Sequence, residues 1–83
     1  MKDTLAVVKV RLGYARAERL LKQQELADLA GIGVATLQRA EYGESITLLT
    51  AQKILYGLNL KSQELGLPSL KLSDLDWNVE GLQ

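Results

Sequence analysis

Near the middle of the chain, Gly31-Ile32-Gly33 cuts a helical pattern into two short pieces. Before it, residues 23–30 place Leu26, Ala27 and Ala30 on one helical face; after it, residues 34–42 do the same with Leu37 and Ala40. Gly31 follows the last helical residue of the first piece, where a left-handed backbone is easiest for glycine, and Gly43 stops the second. Two helices of this length joined by a three-residue turn form a helix-turn-helix unit by geometry alone.

The flanking segments read as further helices. Asp3 or Thr4 can cap a first helix over residues 4–20, in which Leu5, Val8, Leu12, Ala15 and Arg19 step by three and four. Lys9, Arg11, Arg16 and Glu18 lie opposite, and Gly13 costs this helix up to about 1 kcal/mol. The alternative is that Leu5 to Val10, β-branched and partly alternating, forms a short strand that pairs with another subunit. Thr47 can cap a fourth helix over residues 48–58, with Leu48, Ala51, Ile54, Leu55 and Leu58 inward and Asn59 at its end. Ser62 then caps a fifth turn, residues 62–66, which Gly66 and Pro68 end. The expected fold is therefore all-α: a compact five-helix domain over residues 1–66, with a short N-terminal extension and a C-terminal tail, residues 67–83. Leu70, Leu72, Leu75, Trp77, Val79 and Leu82 are too many apolar residues for a solvated end, so the tail is a packing or dimerisation segment.

Length and composition bound the function. Eighty-three residues leave no room for a second core, and a domain of this size is stable by about 4–12 kcal/mol. Ten Lys and Arg balance ten Asp and Glu, which argues against coating DNA through bulk positive charge. The absence of His and Cys removes imidazole bases, thiol nucleophiles, disulfides and ordinary zinc sites; no metal or cofactor is expected. No phosphate-cradling glycine loop is present, and Asp74 and Asp76 sit in the tail as solvated turn residues, so an enzyme is not expected. The longest apolar run, Leu5-Ala6-Val7-Val8, is far short of the ~20 residues of a membrane span, and the N-terminus lacks the order of a secretory signal. The simplest location is the cytoplasm.

Between Leu12 and Leu65 the sequence resembles the phage-repressor-type helix-turn-helix family (Xre, or Cro/C1-type, lambda-repressor-like). The resemblance lies in Arg16 to Leu21, in Gln23-Gln24-Glu25-Leu26-Ala27-Asp28-Leu29-Ala30-Gly31-Ile32, in Ala35-Thr36-Leu37-Gln38-Arg39-Ala40-Glu41-Tyr42-Gly43, and in Lys53-Ile54 through Leu65. It covers about two thirds of the chain. The packing demands agree with it. Leu26, Ala27 and Ala30 hold the second helix on its neighbours, Ile32 plugs the core at the turn, and Leu37 and Ala40 anchor the third. Glu41 is expected to pair with Arg16, which fixes geometry more than it adds stability.

The resemblance implies double-stranded DNA as partner, with the third helix in the major groove. Carried over by position, Gly33, Val34, Ala35, Gln38 and Arg39 face or border the bases, and Arg19, Lys22, Gln23, Thr36 and Tyr42 reach phosphates. Arg39 can bond a guanine bidentately; alternatively it pairs with Glu44 or touches phosphate. Val34 and Ala35 depart from the polar residues usual there and can meet only thymine methyls or DNA shape. Leu20 stands where relatives often carry Gly, and Leu29 where they often carry a charge. Residues 9–22 hold Lys9, Arg11, Arg16, Arg19 and Lys22 against Glu18, whereas residues 23–45 are net acidic.

Two functions follow. One is a sequence-specific regulator, a small homodimeric repressor whose dimer contact comes from the extension through Val8 or the tail around Trp77. The other is an interaction module that keeps the fold without the DNA function and binds a toxin or another regulator. Zero net charge, apolar Val34 and Ala35, and the acidic middle favour the second.

Overall fold

The computed structural model describes residues 9–81, which form four α-helices and one short strand pair. In chain order these are β1 (Val10–Arg11), α1 (Leu12–Glu18), α2 (Gln23–Ala30), α3 (Val34–Glu41), α4 (Leu48–Leu65), a single 3-10 turn (Leu72–Asp74) and β2 (Leu75–Asp76). The five-helix, all-α expectation needs two corrections.

The first concerns the start. Helix α1 begins at Leu12 because Val10 and Arg11 are extended and pair in parallel with β2, Val10 opposite Leu75 and Arg11 opposite Asp76. The strand thus partners its own chain's tail. Asp3, Thr4, Leu5 and Val8, the expected start of that helix and its dimer contact, lie outside the described residues.

The second concerns residues 48–66. Nothing between Leu48 and Leu65 breaks a helix, and α4 runs through both expected segments. Asn59 does not end it; its side chain faces the returning tail, accepting from the Leu70 N–H at 2.7 Å and donating to the Leu70 carbonyl at 2.9 Å. Ser62 is buried and donates to the Leu58 carbonyl one turn back, so it caps nothing. Thr47 does cap α4, its hydroxyl accepting from the Thr50 N–H at 3.1 Å.

The core is aliphatic. Leu12 and Ala15 of α1, Leu26, Ala27 and Ala30 of α2, Leu37 and Ala40 of α3, and Ala51, Ile54 and Leu58 of α4 form one cluster with Leu21, Ile46, Leu75 and Val79. Helices α2 and α4 cross at Gly57, where a Cβ would stand 3.0 Å from Leu26 Cδ1 and 3.2 Å from the Ala30 backbone nitrogen. The tail closes on the same cluster: Ile46 exchanges backbone bonds with Asn78 and Glu80, at 2.9 and 2.8 Å, and Trp77 Nε1 donates to the Leu72 carbonyl. Among the described residues, no helix is long and apolar enough to cross a membrane.

Candidate functional site

The turn between α2 and α3 sets the site. Gly31 adopts φ 72°, its N–H donates to Asp28 and the Ile32 N–H donates to Ala27, so the α2 carbonyls are satisfied as the chain reverses. Ile32 is half-buried against the core, and Gly33 precedes α3 in an extended conformation. Gly33 has no side chain to offer, so among the described residues no side chain caps the leading N–H groups of α3.

With Leu37 and Ala40 buried, the 3.6-residue period turns Ala35, Gln38, Arg39 and Tyr42 outward on α3, and all four are exposed. Val34 is half-buried and packs on the core, which leaves its methyls only partly available to an external partner. Thr36 is half-buried, and its hydroxyl accepts a long bond, 3.5 Å, from Arg39 Nη2. Arg39 has no carboxylate partner among the described residues, so the alternative pairing with Glu44 is not made. Tyr42 is 83% exposed at the end of α3.

A chain of polar contacts runs from beneath this stripe to its surface. Arg16 grips Glu41 with Nε to Oε2 at 2.7 Å and Nη2 to Oε1 at 3.2 Å, and its Nη1 donates to the Leu21 carbonyl. Gln23, the first residue of α2, donates through Nε2 to Glu41 Oε1 at 3.0 Å. Gln38 in turn donates through Nε2 to Gln23 Oε1 at 3.1 Å. Neither glutamine contact is legible in the sequence. They join residues 18 and 15 positions apart, and no periodicity links a helix start to the following helix. Lys22 is exposed beside Gln23, its backbone N–H held by Glu25 Oε1 at 2.7 Å.

Arg19 is not on this surface. It is 4% exposed, donating to Ser62 Oγ at 2.8 Å, to the Ala15 carbonyl at 3.1 Å and to the Pro68 carbonyl at 3.4 Å, with Glu18 at 3.6 Å. The expected phosphate contact at this position is therefore withdrawn: the guanidinium ties α1 to α4 and to the turn beyond it. The signal was present, since Arg19 continues the stripe of buried Leu12 and Ala15.

A rigid pair of short helices at a glycine turn, the second with a free outward stripe, defines a helix-turn-helix domain. A family model described as helix-turn-helix matches residues 12–65, and the chain belongs to that family, in its Cro/C1-type, Xre-like form. This is a family of DNA-binding domains. No curated protein and no solved structure matched the chain.

Proposed function

We propose that the protein is a sequence-specific regulator of transcription that binds double-stranded DNA as a homodimer, with α3 in the major groove. The observation that carries this reading is the outward stripe of α3. Ala35, Gln38, Arg39 and Tyr42 are exposed, while Leu37 and Ala40 anchor α3 in the core. Arg39 is suited to guanine O6 and N7, or to phosphate. Ala35 and the exposed part of Val34 suit a thymine methyl. The uncapped amides at the start of α3, with Lys22 and the hydroxyls of Thr36 and Tyr42, are placed for backbone contacts. A single module of this kind buries too little surface for tight specific binding, which is the reason to infer a dimer acting on a two-fold site, in the manner of a repressor.

One observation favours the interaction module instead. Asp76 and Arg11 line a cleft with Glu41, Tyr42 and Gly43 at the end of α3; Arg11 balances Asp76 and Arg16 balances Glu41, so this flank carries no surplus positive charge for phosphate. Such a flank suits a protein partner, such as a toxin or another regulator, better than a nucleic-acid backbone.

An amide-resolved titration with a generic duplex at two salt concentrations separates the readings. The DNA reading expects salt-sensitive shifts on Lys22, Gln23, Ala35, Gln38 and Arg39, and their loss in Arg39→Ala. With about three phosphates held per subunit, the dimer's log–log salt slope is near −5. A slope between about 0 and −1, with the Arg39→Ala shifts unaltered, sinks the DNA reading and leaves the interaction module.

A further inference from the structure

The polar chain beneath α3 has a consequence for which base the protein reads. A carboxylate only accepts hydrogen bonds, so Glu41 Oε1 forces the Gln23 amide to turn its Nε2 inward and its Oε1 outward. That outward oxygen also only accepts, so Gln38 must turn its own Nε2 toward it. One hydrogen of the Gln38 amide is thereby spent. Its second Nε2 hydrogen and its Oε1 remain, on a side chain exposed on the outward stripe of α3. A donor and an acceptor side by side match the N7 acceptor and N6 amino donor of adenine in the major groove. They do not match guanine, which offers two acceptors there.

We infer that Gln38 is a specificity-determining residue that reads an adenine, and that Gln23 is the positioning residue that fixes its amide. The inference rests on the DNA-binding reading and narrows it. Val34, the first residue of α3, is half-buried and apolar, so hydrogen-bonded readout starts one turn into the helix, at Gln38. Arg16, held by Glu41 and the Leu21 carbonyl, anchors the far end of the chain. The orientation of the reading amide is thus set by a half-buried ion pair instead of being chosen at the moment of binding.

The test selects binding sites from a randomised duplex pool with the full chain, then compares variants on the selected duplex and on versions with the chosen adenine replaced. The unmodified protein is expected to prefer adenine at one position in each half-site by about 5- to 150-fold, and Gln38→Ala to erase that preference. Gln23→Ala is expected to reduce it about 2- to 10-fold, the loss of one pre-set side chain, and to have no effect on the preference in the Gln38→Ala background. If Gln23 merely touched phosphate, Gln23→Ala would weaken every sequence equally. A uniform loss therefore overturns its positioning role, and Gln38→Ala with unchanged base preferences overturns the whole inference while leaving DNA binding standing. Absence of any salt-dependent DNA binding removes the functional reading and this inference together. Thermal melts of both variants check that the fold is intact, as substitution of exposed or half-exposed glutamines should leave it.

Discussion

Leu20 occupies a backbone conformation that a leucine does not favour. Each of the four helices closes with the same pair of hydrogen bonds, from two consecutive residues, the first within two positions of its end. In three helices the first of those residues is Gly31, Gly43 or Gly66, at φ between 72° and 90°; in α1 it is Leu20, at φ 60°. A side chain in the left-handed region costs about 1–2 kcal/mol, partly offset because glycine loses more entropy on folding. The Leu20 side chain recovers little, being 74% exposed. Leu20→Gly is accordingly expected to stabilise the protein by about 0.5–1 kcal/mol, or about 3–6 °C in Tm, with Leu20→Ala close to the parent. A calorimetric melt in which Leu20→Gly is no more stable than Leu20→Ala would show that the neighbouring structure, and not the backbone, determines this position. Arg19 beside it makes the complementary point. A buried guanidinium with four oxygen neighbours fastens three parts of the chain, and the same residue type on the surface would read as a DNA contact.

At the scale of the elements, α2, the turn and α3 were legible because their signals are local. Glycines stand at both breaks, and small or branched apolar residues repeat at helical spacing between them. The two flanks were not, for distinct reasons. Val10 and Arg11 fit a helix as well as a strand, and the choice is made by Leu75 and Asp76, more than sixty positions away. Asn59 carries a helix-ending signal that α4 overrides, because the amide finds its backbone partners at Leu70 after the chain has reversed. The outward stripe of α3 could be read from the period, whereas the order Arg16, Glu41, Gln23, Gln38 exists only once α1, α2 and α3 are packed. Gly57 tests that packing. In an exposed helix Gly→Ala gains up to about 1 kcal/mol. Here the added Cβ would press on Leu26, Leu29 Cβ and the backbone of Ala30, where overpacking costs about 1–3 kcal/mol. Gly57→Ala is expected to lower stability by about 1 kcal/mol, measured by urea denaturation, and Gly57→Leu to prevent folding. A more stable Gly57→Ala protein would mean that α2 and α4 part easily.

For the molecule as a whole, the question is whether the tail belongs to the folding unit or is an appendage to it. Leu75 is 1% exposed and Val79 3%, and both contact the cluster that also contains residues from all four helices. The tail contributes β2 to its pair with β1, two backbone bonds at Ile46 and the partners of Asn59. Fully burying a Leu or Val side chain is worth about 1.5–3 kcal/mol, so these two alone are a large share of a total near 4–12 kcal/mol. Leu75→Ala is therefore expected to cost about 2–5 kcal/mol, and to cost it everywhere. Trp77, the only tryptophan, reports on the tail by fluorescence, while helical circular dichroism reports on α1 to α4. If the tail is integral, both signals in Leu75→Ala shift to lower denaturant together, and amide exchange in α3 accelerates by the same free energy. If the fluorescence change comes first and the helical signal keeps its original midpoint, the tail is a separate layer. The residues of α3 would then be held by the helices alone.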